Sequence, residues 1–208
     1  LGIDPHALND DRLGRCLDAL AGQIDAVQGT VAATAVAQFA LDLSQLHWDL
    51  TSVVLQGESP PEAQQPGFPK PAYGYGGERG CKQLRVGELV THDGGVPLWH
   101  KSYDGQQADL GTVVATMEAL RRQIALPECL VIGDTKLLSE QVIPALRGMQ
   151  LHFLAPLPKS AALDQEYLSL SPEKWERLDY VAKRQERLGE AQRTTYLGQE
   201  VGWERIDP

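Results

Sequence analysis

Cys129-Leu130-Val131-Ile132-Gly133-Asp134 is a short, unbroken apolar run closed by a glycine and a carboxylate. Without polar alternation, such a run fits a parallel strand covered on both faces. A parallel strand needs a crossover before it, usually a helix. Upstream, Leu110, Val113, Val114, Met117, Leu120 and Ile124 lie on one helical stripe, with Asp109 at its N-terminus and Pro127 closing the connection. Downstream, Ser139 can cap a second helix that Gly148 can end, with Pro144 near its first turn. Leu151–Leu157 (LHFLAPL) then reads as the next strand.

Further upstream the pattern is that of an antiparallel meander. Leu46–Leu55 (LHWDLTSVVL) is rich in β-branched and large apolar residues and reads as a strand. Residues 58–80 hold Pro60, Pro61, Pro66, Pro69, Pro71 and several glycines, and read as a loop. Gln83–Thr91 and Val96–Tyr103 are two more strands, joined across Asp93-Gly94-Gly95, where the turn needs the positive φ that glycine supplies. Residues 1–43 read as helical. Asn9 or Asp10 caps a stripe of Leu13, Cys16, Leu17, Leu20 and Ile24, and a second helix runs from about Thr30 to Leu43 with Val31, Ala35, Val36 and Phe39 inward. Pro172–Leu188 reads as an amphipathic helix through Trp175, Leu178 and Val181.

Helices followed by β-β-β-α-β-α-β predict an α/β fold with a mixed sheet. Right-handed crossovers make the first and fourth strands neighbours, in the order 3-2-1-4-5. Three segments are expected: an N-terminal helical segment (1–43), the sheet-bearing core (44–160) and a charge-mixed C-terminal segment (161–208).

Composition narrows the chemistry. The 208 residues carry 19 basic and 28 acidic side chains, a net charge of −9, which gives no basic nucleic-acid footprint at whole-chain level. No run approaches the roughly 18 apolar residues of a membrane span, and no signal peptide is visible. Cys16, Cys81 and Cys129 are odd in number and far apart, and the five histidines form no H-x-x-x-H pair. Neither a disulfide framework nor a zinc site is indicated, and a reducing, cytoplasmic setting follows. The chain starts at Leu1 rather than Met, so a fragment is expected.

Two aspartates are oddly placed for burial. Asp49 lies between Trp48 and Leu50 in an apolar strand, and Asp134 ends the run 129–133. If the two strands are neighbours, both carboxylates reach one sheet edge. Converging carboxylates repel unless a divalent cation joins them, and oxygen-only ligands favour Mg²⁺ or Mn²⁺ over zinc. Two such ions, roughly 3.5–4 Å apart, clamp the attacking and leaving oxygens of a phosphodiester displacement. Plainer roles stand beside this one: a strand Asp commonly faces outward, and an Asp at a strand end commonly caps a helix. Lys136 and Lys159 follow the fourth and fifth strands and can meet phosphate as point charges, or can be solvated surface lysines. Trp48 and Trp99 suit the core better than base stacking.

LHWDLTSVVLQGE (46–58), YGYGGERGCKQLRVGELVTHDGGVPLWHKSYDG (73–105), VIGDTKLLSE (131–140) and LHFLAPLPKS (151–160) together resemble, in order, the DDE-type transposases of bacterial insertion sequences. The resemblance implies a ribonuclease H-like fold. It also implies two aspartates and a glutamate that bind two Mg²⁺ ions, hydrolysis at a transposon end, and attack of the freed 3′-OH on target DNA. It puts the first aspartate on Asp49, in W-D-L-T, and the second on Asp134, in G-D-T-K. Residues 1–43 resemble the helical region that precedes the catalytic domain in this family.

The third acid has no recognisable place. Glu166, Glu173, Glu176, Glu186, Glu190, Glu200 and Glu204 are available, but the Tyr/Arg/Glu/Lys signature helix is missing. The reading is a chain that stops inside the family's insertion, binds Mg²⁺ weakly and cleaves little or no DNA alone. A non-catalytic remnant that folds, associates through its N-terminal helices with a full-length transposase and does no chemistry is the second reading; DNA is the expected partner, with a homo-oligomer as a further one. An unrelated α/β hydrolase or phosphatase with an Asp-based metal site is the third.

Overall fold

The computed structural model describes residues 8–56, 68–74, 80–107, 111–157 and 160–200. They fall into two compact units, Leu1–Leu157 and Pro158–Pro208.

The first unit opens with α1 (Asp10–Ala21) and α2 (Ile24–Phe39). Asn9 caps α1, its side-chain oxygen accepting from the Arg12 N–H at 2.9 Å. The inward face of α2 is Gly29, Ala32, Ala33 and Val36, set against β4 and α3. This corrects the expected face, because Val31 and Phe39 are exposed. The helix also starts six residues earlier than expected and ends at Phe39, where Ala40 turns left-handed (φ 49°). Small residues are what let α2 approach: a Cβ at Gly29 would run into the Gln123 side chain of α3.

The sheet is built from β1 (Gln45–Leu55), β2 (Ala72–Tyr73), β3 (Lys82–Thr91), β4 (Pro97–Tyr103), β5 (Leu130–Ile132) and β6 (His152–Leu154). β4 pairs with β3, β3 with β1, β1 with β5 and β5 with β6. The five expected strands therefore take the expected order, with β5 parallel to both β1 and β6. β2 adds a sixth strand beside β3, inside the stretch expected to be loop. The β3–β4 turn falls on Asp93-Gly94-Gly95, with Gly95 at φ 66°.

Alternation along β1 sets the two faces. Leu46 and Trp48 are buried, whereas His47, Asp49, Thr51 and Val53 are exposed. Trp48 lies over Gly87 of β3, where a Cβ would overlap the indole ring. Leu46, Trp48, Leu89, Trp99 and Val131 share one core with Val113, Met117 and Leu120 of α3 (Thr112–Gln123) and with Val142 and Leu146 of α4 (Val142–Gly148). Each such side chain contributes about 1.5–3 kcal/mol by leaving water. Val113, Val114, Met117, Leu120 and Ile124 thus pack as expected, but Gly111 (φ 89°) is the N-cap of α3, and Asp109 and Leu110 lie outside the described residues. Ser139 serves α4, its hydroxyl accepting from the Val142 N–H at 3.1 Å. The left-handed turn after α4 is taken by Gln150 (φ 55°), not Gly148.

The second unit holds α5 (Ala161–Ser169) and a small antiparallel pair, β7 (Glu176–Arg177) with β8 (Leu197–Gly198). The expected helix 172–188 is absent. Its place is taken by short 3₁₀ turns at Pro172–Lys174 and Lys183–Gln185, with β7 between them. The apolar positions 175, 178 and 181 repeat every three residues without i+4 companions, too thin a stripe to hold a helix. Leu178 instead donates its N–H to the Tyr196 carbonyl at 2.9 Å, and Trp175 meets Tyr167 edge-on at 5.5 Å.

Candidate functional site

The parallel pairing of β1 with β5 is short. Gln45, Leu46 and His47 face Leu130, Val131 and Ile132, and there β5 ends. From Trp48 onward β1 continues beside β3 alone among the described residues. This overrun leaves a step in the sheet. Asp49 stands on one side of the step and Asp134 on the other.

Asp134 is held by its own turn. It caps the 3₁₀ segment Thr135–Leu138, and its Oδ1 accepts from the Lys136 N–H at 3.0 Å. The plainer reading of a strand-end Asp, as a cap, is therefore met. Gly133 makes the close passage possible: a Cβ there would meet the Leu137 side chain and the Trp48 carbonyl. Asp49 is exposed, as a strand Asp commonly is, between buried Trp48 and half-buried Leu50.

Both aspartates line one crevice together with Trp48, Leu50, Val113, Lys136 and Leu137. Its free space is about 10 Å³, room for about one water-sized sphere. Four of its lining residues are apolar, and three, Asp49, Asp134 and Lys136, are charged. Residues 85 positions apart in the chain thus line one crevice. Oxygen is the sole anionic donor type, which suits a hard cation.

Lys136 belongs to the crevice, whereas Lys159 lies outside the described residues. Among the described residues, no group of three or more His, Cys, Asp or Glu side chains is arranged to hold a metal. Glu166, Glu173, Glu176, Glu186, Glu190 and Glu200 belong to the second unit, and Glu204 is outside the described residues. Trp48 and Trp99 are buried in the core rather than offered to a base. His100 has a partner the sequence does not suggest: its N–H donates to Gln28 Oε1 of α2 at 2.9 Å.

Sequence reasoning misses Glu88. It faces Asp49 directly across the β1–β3 pairing, and His100 faces it in turn on β4. The signal is present only in the register, which no local pattern encodes. Arg85, two residues before Gly87, donates from Nη2 to the Leu50 carbonyl at 3.2 Å and so braces the strand just after Asp49.

Away from the crevice, Asp42 and Asp93 join the start of β1 to the β3–β4 turn. The Ser44 N–H donates to Asp42 Oδ1 at 2.8 Å, and the Asp42 N–H donates to Asp93 Oδ2 at 3.0 Å. These donors hold both carboxyls below the usual 3.8. Cys129 is buried at the head of β5, and burial pushes its thiol up, which makes it a core atom rather than a nucleophile.

No curated protein matches the sequence. Among solved structures, the chain is similar to the catalytic domain of Mos1 mariner transposase at 9% identity, over 80% of this chain and 78% of that one, with a TM-score of 0.35. It is similar to the Mos1 mariner paired end complex with Mn at 11% identity, over 81% and 57%, with a TM-score of 0.38. The Mos1 strand transfer complex matches at 12% identity, over 64% of this chain and 41% of that one, with a TM-score of 0.36. The chain thus spans less than half the length of this last structure. The family model for the transposase DDE domain matches residues 48–205, from the residue before Asp49 almost to the end of the chain. With residues 48–205 matched, most of its length, the chain belongs to the DDE transposase family.

Proposed function

We propose that Asp49 and Asp134 hold a divalent cation, Mg²⁺ or Mn²⁺, and that this centre serves phosphodiester hydrolysis and strand transfer on DNA. The observation that supports it is the shared crevice: two carboxylates, oxygen-only donors, and space for one small sphere. The donor set fits the metal. When bound, such an ion polarises a phosphoryl oxygen and lowers the pKa of an attacking water. The chain's own residues do the rest. Asp134 keeps one oxygen on the Lys136 N–H, which fixes the other. Trp48, Val113 and Leu137 wall the crevice with apolar surface and thin out the water beside it. Lys136, which lines the same crevice, is proposed to meet a phosphate oxygen as a point charge.

Two acids supply few ligands. The pair is therefore proposed to bind the ion weakly and to support little or no strand cleavage by this chain alone, with residues 161–208 forming the start of an insertion that precedes the third acid. The proposed setting is cytoplasmic, and no helix among the described residues is long and apolar enough to cross a membrane. A non-catalytic interaction module is the alternative, favoured by the lack of a third acid in any cluster among the described residues.

Calorimetric titration with Mg²⁺ and with Mn²⁺ decides between them. Wild-type protein should release or absorb heat on binding, and Asp49→Asn and Asp134→Asn should each abolish the signal. A signal unchanged by both substitutions ends the metal reading, and no signal in wild type favours the interaction module.

A further inference from the structure

We propose that Arg85 is a positioning residue of the crevice that Asp49 and Asp134 line. Reaching from β3 across β1, its guanidinium stands in for a strand partner where β5 stops, and so holds Asp49 in place as the metal ligand proposed above. What Asp49 does there rests on that reading; what Arg85 does follows from the hydrogen bonds of the sheet.

Alternation decides which carbonyls need a partner on that flank. Successive residues of a strand turn their carbonyls to opposite sides. The Ser44 carbonyl accepts from the Leu130 N–H at the start of β5 at 2.8 Å, whereas the Gln45 carbonyl accepts from the His92 N–H, just past β3, at 3.3 Å. Leu46, Trp48 and Leu50 therefore turn theirs toward β5. That strand ends at Ile132, and Gly133 comes up against the Trp48 carbonyl, where a Cβ would meet it. Leu50 is the next in line, beyond the end of β5. A half-buried carbonyl with no donor would weaken the strand there. Arg85 supplies the donor, with Nη2 at 3.2 Å from the Leu50 oxygen.

The register explains how a β3 side chain serves the far side of β1. Arg85 is opposite Ser52 and Gly87 is opposite Leu50, so all four residues share one face of the sheet. On its other side Arg85 has Tyr103 of β4 in register, with the Tyr103 hydroxyl 3.3 Å from Thr116 Oγ1 of α3. Crossing β1 takes a long side chain. A guanidinium has five donors in a rigid fork and keeps its charge at every working pH. A bond from such a donor is stronger than one between neutral groups. Asp49 is thus secured through both of its neighbours: Trp48 lays its ring over Gly87, and Leu50 is tied to Arg85. Arg85-Val86-Gly87 of β3 grips Trp48-Asp49-Leu50 of β1.

Calorimetric titration with Mn²⁺ and amide exchange by NMR, both on the full 208-residue chain, test this. Arg85→Met keeps the length and removes the donors. It should weaken Mn²⁺ binding about tenfold and speed exchange about tenfold at Asp49 and Thr51, whose N–H groups turn toward β3, while Leu46 and His47 keep wild-type rates. Arg85→Lys can still donate to the Leu50 carbonyl and should recover binding to within about threefold of wild type. A role in bulk stability alone gives no such rescue. Unchanged Mn²⁺ affinity in Arg85→Met overturns the proposal. Equal loss in both variants with faster exchange at Leu46 and His47 also overturns it, because Arg85 then merely keeps the sheet folded. If wild type binds no Mn²⁺, the metal reading fails by itself and exchange still decides the bracing: unchanged rates at Asp49 and Thr51 in Arg85→Met overturn it, and faster rates uphold it.

Discussion

Asp49 faces Glu88 across the antiparallel pairing of β1 and β3, two carboxylates in direct register on an exposed sheet face. Like charges so placed destabilise a sheet. Glu88→Gln should therefore raise stability by about 0.2–1 kcal/mol in urea unfolding. The gain should shrink as salt is added. An unchanged midpoint at low salt would show that the two acids do not interact.

Asp134 combines a cap with a proposed ligand, and two substitutions separate them. Asp134→Asn keeps an oxygen for the Lys136 N–H, so it should cost little stability while removing the metal signal. Asp134→Ala loses both and should cost about 0.5–2 kcal/mol more. Urea midpoints read beside calorimetry give the split. Equal destabilisation by the two variants would mean that the cap contributes nothing.

Gly87 is where the Trp48 ring passes over β3. Gly87→Ala forces either the ring or the strand to move, a change that typically costs about 1–3 kcal/mol. Because Trp48 precedes Asp49 and lines the crevice, metal affinity should fall with stability. Wild-type behaviour in both assays would show that the ring has room to shift.

Acid should loosen the junction between β1 and the β3–β4 turn. The Asp42 and Asp93 carboxyls titrate below their usual 3.8 in the folded chain. Their stabilisation is therefore complete well above that value and is lost as pH falls through the lower, folded-state pKa values. Asp42→Asn and Asp93→Asn should each lie below wild type in midpoint near neutrality and converge on it in acid. A constant gap across the pH series would contradict the linkage.

The strands, their order and the Asp-Gly turn were legible because each depends on local features: apolar runs, turn glycines, and helices between parallel strands. The face of α2 was not. Val31 and Phe39 look inward by hydropathy, but close approach to α3 selected Gly29 and the alanines instead. The helix expected at 172–188 failed because 175, 178 and 181 supply half a stripe, and antiparallel pairing of Glu176–Arg177 with Leu197–Gly198 took the backbone there. That Asp49 and Asp134 line one crevice was legible because Asp49 sits on β1 and Asp134 just past the end of β5, two strands whose adjacency follows from topology. The place of Glu88 was not, since its meeting with Asp49 depends on one residue of register.

The overrun of β1 past β5 makes one strand behave as two. Residues 45–47 are clamped on both flanks, whereas the stretch after His47 hangs with β3 and β4 as a flap. Amide protons should exchange slowly in the clamped part and faster in the flap. Asp49 sits two residues beyond the pivot, on the crevice that Asp134 also lines, so its position rests on the pairing of β1 with β3 rather than with β5.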